Sequence, residues 1–175
     1  MVSLRNEITK IDNRFATKDF KFIFQGEATL GSDTVKNFNV LVETLRAGVL
    51  GLPTTAEPTY NCDYNGNDIP ILHPRILLLT KMSRWSRAWK GTKDKEESEI
   101  RPQTLFKIES DERDLKWLIN WMGEKKMTIE FADYAGRNRL DLVAIVRDFY
   151  TKFSGNEALI AELKSIMKKE DWDAL

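Results

Sequence analysis

The periodicity of this chain changes once, between residues 60 and 74, and that change limits the folds open to it. Tyr60 to Tyr64 and Asp68 to Leu72 flank the dipeptide Asn65-Gly66. Asn-Gly accepts the positive φ of a type I′ turn, so the stretch reads as a hairpin. Pro74 follows, with a fixed φ that suits the first position of a helix. Leu78, Met82, Trp85 and Trp89 then recur at helical spacing, the mark of a buried stripe. Strands come first and helices afterwards, which is the order of an α+β protein.

Both flanks extend this reading. Phe20 to Phe24 alternates as a strand that ends at Gly26, and Gly31-Ser32-Asp33 suits a turn. Asn37 to Leu45 reads as a second strand. It sets Phe38, Val40 and Val42 on one face and Asn39, Leu41 and Glu43 on the other. Gly48, Gly51 and Pro53 break the pattern. Beyond the first helix, residues 91–99 are charged and turn-like. Ser110 reads as the cap of a second helix, with Asp111 and Glu112 in its first turn. Its stripe is Leu115, Leu118, Ile119 and Met122, and Gly123 stops it. A third helix starts near Asn138 and carries Leu142, Ile145, Val146 and Phe149. A fourth follows Ser154-Gly155-Asn156 with Leu159, Ile160, Leu163 and Ile166. The 175 residues read as a single domain, mainly strands and turns over 1–72 and mainly helices over 73–175.

Several kinds of protein are excluded. With 42% hydrophobic and 31% charged residues, wholesale disorder does not fit. No apolar run is long enough for a membrane-spanning helix, and Met1 to Lys10 does not read as a secretory signal. Cys62 is the only cysteine, so no internal disulfide forms and a reducing, cytoplasmic compartment is expected. Twenty-seven basic residues balance twenty-seven acidic ones, which leaves no global footprint for nucleic acid or membrane. Neither a phosphate-binding G-x-x-x-x-G-K-[ST] loop nor a G-x-G-x-x-G string occurs. A zinc site built from several His and Cys ligands is ruled out by one residue of each. His73, just before Pro74, reads as a cap or surface residue, and Cys62 as a small packed residue in a hairpin strand.

The basic stretch carries more chemistry. Arg75, Lys81, Arg84, Arg87, Lys90, Lys93 and Lys95 face Asp94 alone across residues 75–95. On a helix Lys81, Arg84 and Arg87 form a strip that could hold phosphate groups. A solvated face, partly neutralised by Glu96, Glu97 and Glu99, accounts for the strip equally well. Trp85/Trp89 and Trp117/Trp121 form i,i+4 pairs on successive helices. Packing of two helices through aromatic faces is the favoured reading over base stacking.

One ordered series of motifs resembles a known group. Val42-Glu43-Thr44-Leu45-Arg46-Ala47-Gly48-Val49-Leu50-Gly51-Leu52-Pro53 is similar to the strand of nucleotidyltransferase-fold proteins, notably fungal members, that reads V-D-[IF]-L, then x-x-G, then leucine-proline. Gly66-Asn67-Asp68-Ile69-Pro70-Ile71-Leu72 and Leu77-Leu78-Leu79-Thr80-Lys81-Met82 resemble the group's G-I-P-V … L-L-L-x-K-L segment. Lys107, Asp111 and Asp114-Leu115 resemble its K-x-x-x-D-x-x-D-I helix start, and Asp12-Asn13-Arg14-Phe15 its D-x-R-F.

The resemblance implies a mixed sheet with helices against it, distantly related to nucleotidyltransferase-like toxins. In active members a Gly-Ser turn grips the triphosphate, and an Asp-x-Asp pair with a third carboxylate holds the metal ions. Glu43 falls on the third-carboxylate position, where Asp is usual, and Lys81 on a lysine that could face the phosphates. Arg84, Arg87 and Lys107 would meet phosphate or a partner, and Asp111 and Asp114 are the motif acids. The Gly-Ser turn and Asp-x-Asp pair would lie upstream of Asp12 and are missing, while Gly31-Ser32-Asp33 stands in the wrong place. One carboxylate cannot hold two Mg²⁺ ions, so no metal site is expected.

What this implies is a truncated, catalytically degenerate nucleotidyltransferase-like domain that acts by binding another macromolecule. The alternative is a metal-dependent nucleotidyltransferase, using Mg²⁺ and a nucleoside triphosphate, with missing ligands from a partner chain or unrecognised residues. The partner would be a protein, or a second copy meeting an exposed sheet edge. Nucleic acid is the weaker class, and no membrane is expected. Phe38, Val40 and Val42 should bury against helices, with Glu43 looking into a cleft and paired with a basic residue or hydrogen-bonded.

Overall fold

A computed structural model describes residues 2–18, 21–30, 34–42, 47–49, 52–55 and 57–175. The sequence reads as one domain, and the structure divides into two compact units, Met1–Arg46 and Ala47–Leu175.

In the first unit, helix α1 (Val2–Ile11) precedes strands β1 (Phe15–Lys18), β2 (Lys21–Leu30) and β3 (Thr34–Leu41), which form an antiparallel sheet in the order β1-β2-β3. Neither α1 nor β1 is predicted from the sequence. Leu4, Ile8 and Ile11 of α1 share one helical face, yet Leu4 and Ile11 stay exposed. The D-x-R-F string makes the bend between α1 and β1. The Asp12 carboxylate accepts the Arg14 backbone N–H at 2.9 Å and its guanidinium at 2.6–3.1 Å. That guanidinium holds the Asp12 carboxyl below the usual carboxylate range. Phe15 then stacks on Phe22, with ring centroids 5.5 Å apart.

Strand β2 runs through Gly26 instead of ending there. Gly26 pairs with Phe38 across the sheet, and the Phe38 ring lies where a side chain at 26 would begin. The glycine therefore marks a close approach, not a stop. The expected burial of Phe38 and Val40 does not occur, since they are 41% and 48% exposed. Residues 36–41 are exposed throughout, because β3 is the outer strand and no described strand pairs with its far side. Val42 lies past the strand end and is half-buried. The strand predicted to reach Leu45 is described only to residue 42, and the Gly31-Ser32-Asp33 turn lies outside the described residues.

The second unit opens with the predicted hairpin, β4 (Thr59–Tyr64) and β5 (Asn67–Leu72). Asn65 and Gly66 have φ of 54° and 76°, as a type I′ turn requires. The hairpin is a two-stranded ribbon with most residues exposed. Cys62 is therefore exposed instead of packed. All described strand pairs are antiparallel, so the mixed sheet implied by the resemblance is not found among the described residues.

Five helices follow: α2 (Pro74–Lys90), α3 (Pro102–Glu124), α4 (Arg139–Phe153), α5 (Glu157–Ser165) and α6 (Lys169–Trp172). His73 caps α2 by accepting the Arg75 N–H on Nδ1 at 3.3 Å. Asn138 and Asn156 cap α4 and α5 through their side-chain oxygens, at 2.8 and 3.1 Å. Helix α3 starts eight residues before Ser110, which sits inside it. Pro102 supplies the first helical residue after an extended Arg101, so Ser110 is no cap.

The core joins α2, α3, α4 and α5, with Leu79, Met82, Trp85, Leu115, Phe149 and Leu163 fully buried. Trp85 stacks on Trp89 at 5.3 Å and meets Phe149 of α4 at 5.5 Å. Trp121 stands edge-on to Tyr60 of β4 at 5.9 Å. Trp85 thus meets α4 through Phe149 and α3 through Glu112, while Trp121 meets the hairpin. Among the described residues no helix is long and apolar enough to cross a membrane.

Candidate functional site

Helices α2 and α3 meet along a polar seam that contains most of the residues singled out from the sequence. Lys81, Arg84 and Trp85 lie within one turn of α2, and Asp111, Glu112 and Asp114 within one turn of α3. Lys81 Nζ reaches Asp114 Oδ2 at 2.6 Å. Arg84 Nε donates to Asp111 Oδ2 at 2.8 Å, and a second guanidinium nitrogen donates to Asp111 Oδ1. Trp85 Nε1 donates to Glu112 Oε1 at 3.1 Å.

Burial is uneven across the seam. Asp111 is 1% exposed, while the Arg84 side chain is 63% exposed. A carboxylate this buried needs a partner, and the guanidinium fork supplies two parallel hydrogen bonds. The same contact raises the Arg84 pKa, chiefly through hydrogen bonding to Asp111.

The structure therefore brings together four of the expected residues, Lys81, Arg84, Asp111 and Asp114, and pairs them with one another. Lys107 stands apart on the exposed surface near the start of α3, beside Phe106. Arg87 is exposed and lines a cleft at the C-terminal end of α2. Glu43, expected as the vestigial third carboxylate, lies outside the described residues. No group of three or more His, Cys, Asp or Glu among the described residues could hold a metal ion.

Two of the three remaining α2 cations follow the same pattern. Arg75 Nε lies 3.0 Å from Asp133 Oδ2. Lys90 Nζ lies 2.7 Å from Asp148 Oδ2, which also accepts the Ser86 hydroxyl. The helix strip read as a phosphate grip or a solvated face is for the most part a set of interhelical ion pairs.

The sequence reading passed over one surface. Phe106 and Trp117, 65% and 64% exposed, fall on the outer side of α3 with Arg113 between them. Eleven residues at ~1.5 Å each put them about 16 Å apart on one helix face. The signal was the spacing 106, 113, 117, which becomes visible once Pro102 is taken as the helix start. Comparison with family models, curated proteins and solved structures finds no match to this chain.

Proposed function

We propose that this chain works by binding a protein partner on the outer face of α3, and that its nucleotidyltransferase-like residues are a catalytically degenerate remnant. The observation that carries this reading is the pairing of Lys81 with Asp114 and of Arg84 with Asp111. The cations that would meet phosphates in an active relative are here tied to carboxylates of the neighbouring helix. Phosphate binding at this seam would leave the buried Asp111 without its partner, a penalty of about 1–3 kcal/mol or more.

The docking face has the composition of an interaction surface. Large exposed aromatics with an arginine among them are the residue types that dominate interface energetics. Phe106, Arg113 and Trp117 supply all three on one helix side.

The test compares the native chain with a Phe106→Ser/Trp117→Ser variant in quantified protein capture, followed by reconstitution with the purified partner, and in sedimentation. A partner held by the native chain and released by the variant, or a self-association lost in it, supports the proposal. Equal retention by both sinks it. Calorimetry with Mg²⁺ and a nucleoside triphosphate is expected to show no metal-dependent binding. Binding that disappears in Lys81→Gln would favour the metal-dependent nucleotidyltransferase instead.

A further inference from the structure

Helix α2 has five basic side chains, and four of them, Arg75, Lys81, Arg84 and Lys90, are paired with carboxylates. Arg87 alone makes no ion pair or side-chain hydrogen bond among the described residues. It faces a cleft of about 420 Å³ between the end of α2 and the start of α3, lined also by Thr92, Lys95, Glu99, Arg101 and Thr104. Lys95 and Arg101 likewise have no ion pair among the described residues. Three cations and one carboxylate thus converge on one concavity, an excess of two positive charges in a chain that is neutral overall.

We infer that this cleft is a binding site for a small phosphate-bearing anion. Two guanidinium forks and an ammonium match a phosphate dianion, since arginine presents paired donors to two oxygens at once. Thr104 adds a hydroxyl from the first turn of α3, whose N-terminal dipole favours negative charge. The Thr92 hydroxyl already donates to the Trp89 carbonyl at 3.0 Å, so it shapes the wall and donates nothing to the ligand. Glu99 opposes the anion and moderates its affinity.

The shape selects against nucleic acid. A polynucleotide needs a track of free cations, and those along α2 before Arg87 are held by carboxylates. A cleft of this volume lies within the usual range for small-molecule sites, about 300–1,000 Å³. The site uses none of the residues of the seam or of the outer α3 face, so it stands independently of the proposed protein docking.

Calorimetric and ³¹P NMR titrations of the full chain with inorganic phosphate, pyrophosphate and glycerol phosphate test the assignment at constant ionic strength. Saturable binding is expected, weakened at least about tenfold by Arg87→Gln and by Arg101→Gln, because each removes charge-assisted hydrogen bonds. Glu99→Gln should bind more tightly, and Lys152→Gln, at an exposed position of α4 outside the cleft, should bind like the native chain. Thermal melts establish that the variants remain folded, as these exposed side chains have no described partners to lose. Preference for pyrophosphate assigns the inorganic anion, and preference for glycerol phosphate assigns a phosphate ester. Lack of saturation, or equal losses in Lys152→Gln and Arg87→Gln, would overturn the site.

Discussion

His73 couples the start of α2 to pH. Its Nδ1 must be unprotonated to accept the Arg75 N–H, and burial, with the nearby Arg75 charge, lowers its pKa from 6.5 although Asp133 pulls the other way. Unfolded chains take up this proton near the ordinary value, folded ones only at lower pH. Between the two the unfolded state binds more protons, so stability falls as pH drops through that window and levels off below it. His73→Asn keeps a capping oxygen and should flatten this step in urea titrations read against pH. The Arg84–Asp111 pair gives a second prediction. Losing Arg84 strands a buried carboxylate, whereas losing Asp111 leaves an arginine that is already mostly in water. Arg84→Met should therefore destabilise by about 1–3 kcal/mol, and Asp111→Asn by less. Chemical denaturation showing the reverse order would refute the assigned burial. Residue types alone mark Arg84 and Asp111 as candidates and His73 as a cap or surface residue, but only the packing shows that the first two spend their charge on each other.

Tryptophans report the same distinction at the level of helices. Trp85 is wholly buried against α4, while Trp117 of α3 is mostly exposed. Trp85→Ala should cost about 3–5 kcal/mol, as truncation of a large core aromatic does. Trp117→Ala should change stability by only about 0.5 kcal/mol or less, as for surface positions. Equal losses in thermal or denaturant unfolding would show that both rings belong to the core. Helical periodicity makes α2, α4 and α5 legible from the chain, because one apolar stripe and a capping Asn or Pro act locally. It misplaces the start of α3, since Ser110 has capping chemistry but Pro102 has the geometry. It also misses α1, although Leu4, Ile8 and Ile11 stand at helical spacing. Gly26 reads as a stop because the ring that crosses it comes from Phe38, twelve residues away.

Across the whole molecule, the large buried cluster lies entirely within Ala47–Leu175. A fragment spanning those residues should keep cooperative thermal unfolding and near-native helical circular dichroism. Loss of cooperativity would show that residues 1–46 are required for that core. The sequence by itself determines the α+β order, the Asn65-Gly66 hairpin and the four helical core stripes, because these rest on φ preferences and on spacing within a single element. Tertiary structure alone decides that the chain divides into two compact units, that Phe38 and Val40 face solvent, and that Lys81 and Arg84 are paired while Arg87 is left facing a cleft. Those outcomes depend on which element lies opposite, at separations of about thirty residues for the ion pairs of the seam. A side chain's charge is written in the chain, but the partner that neutralises it is chosen by packing.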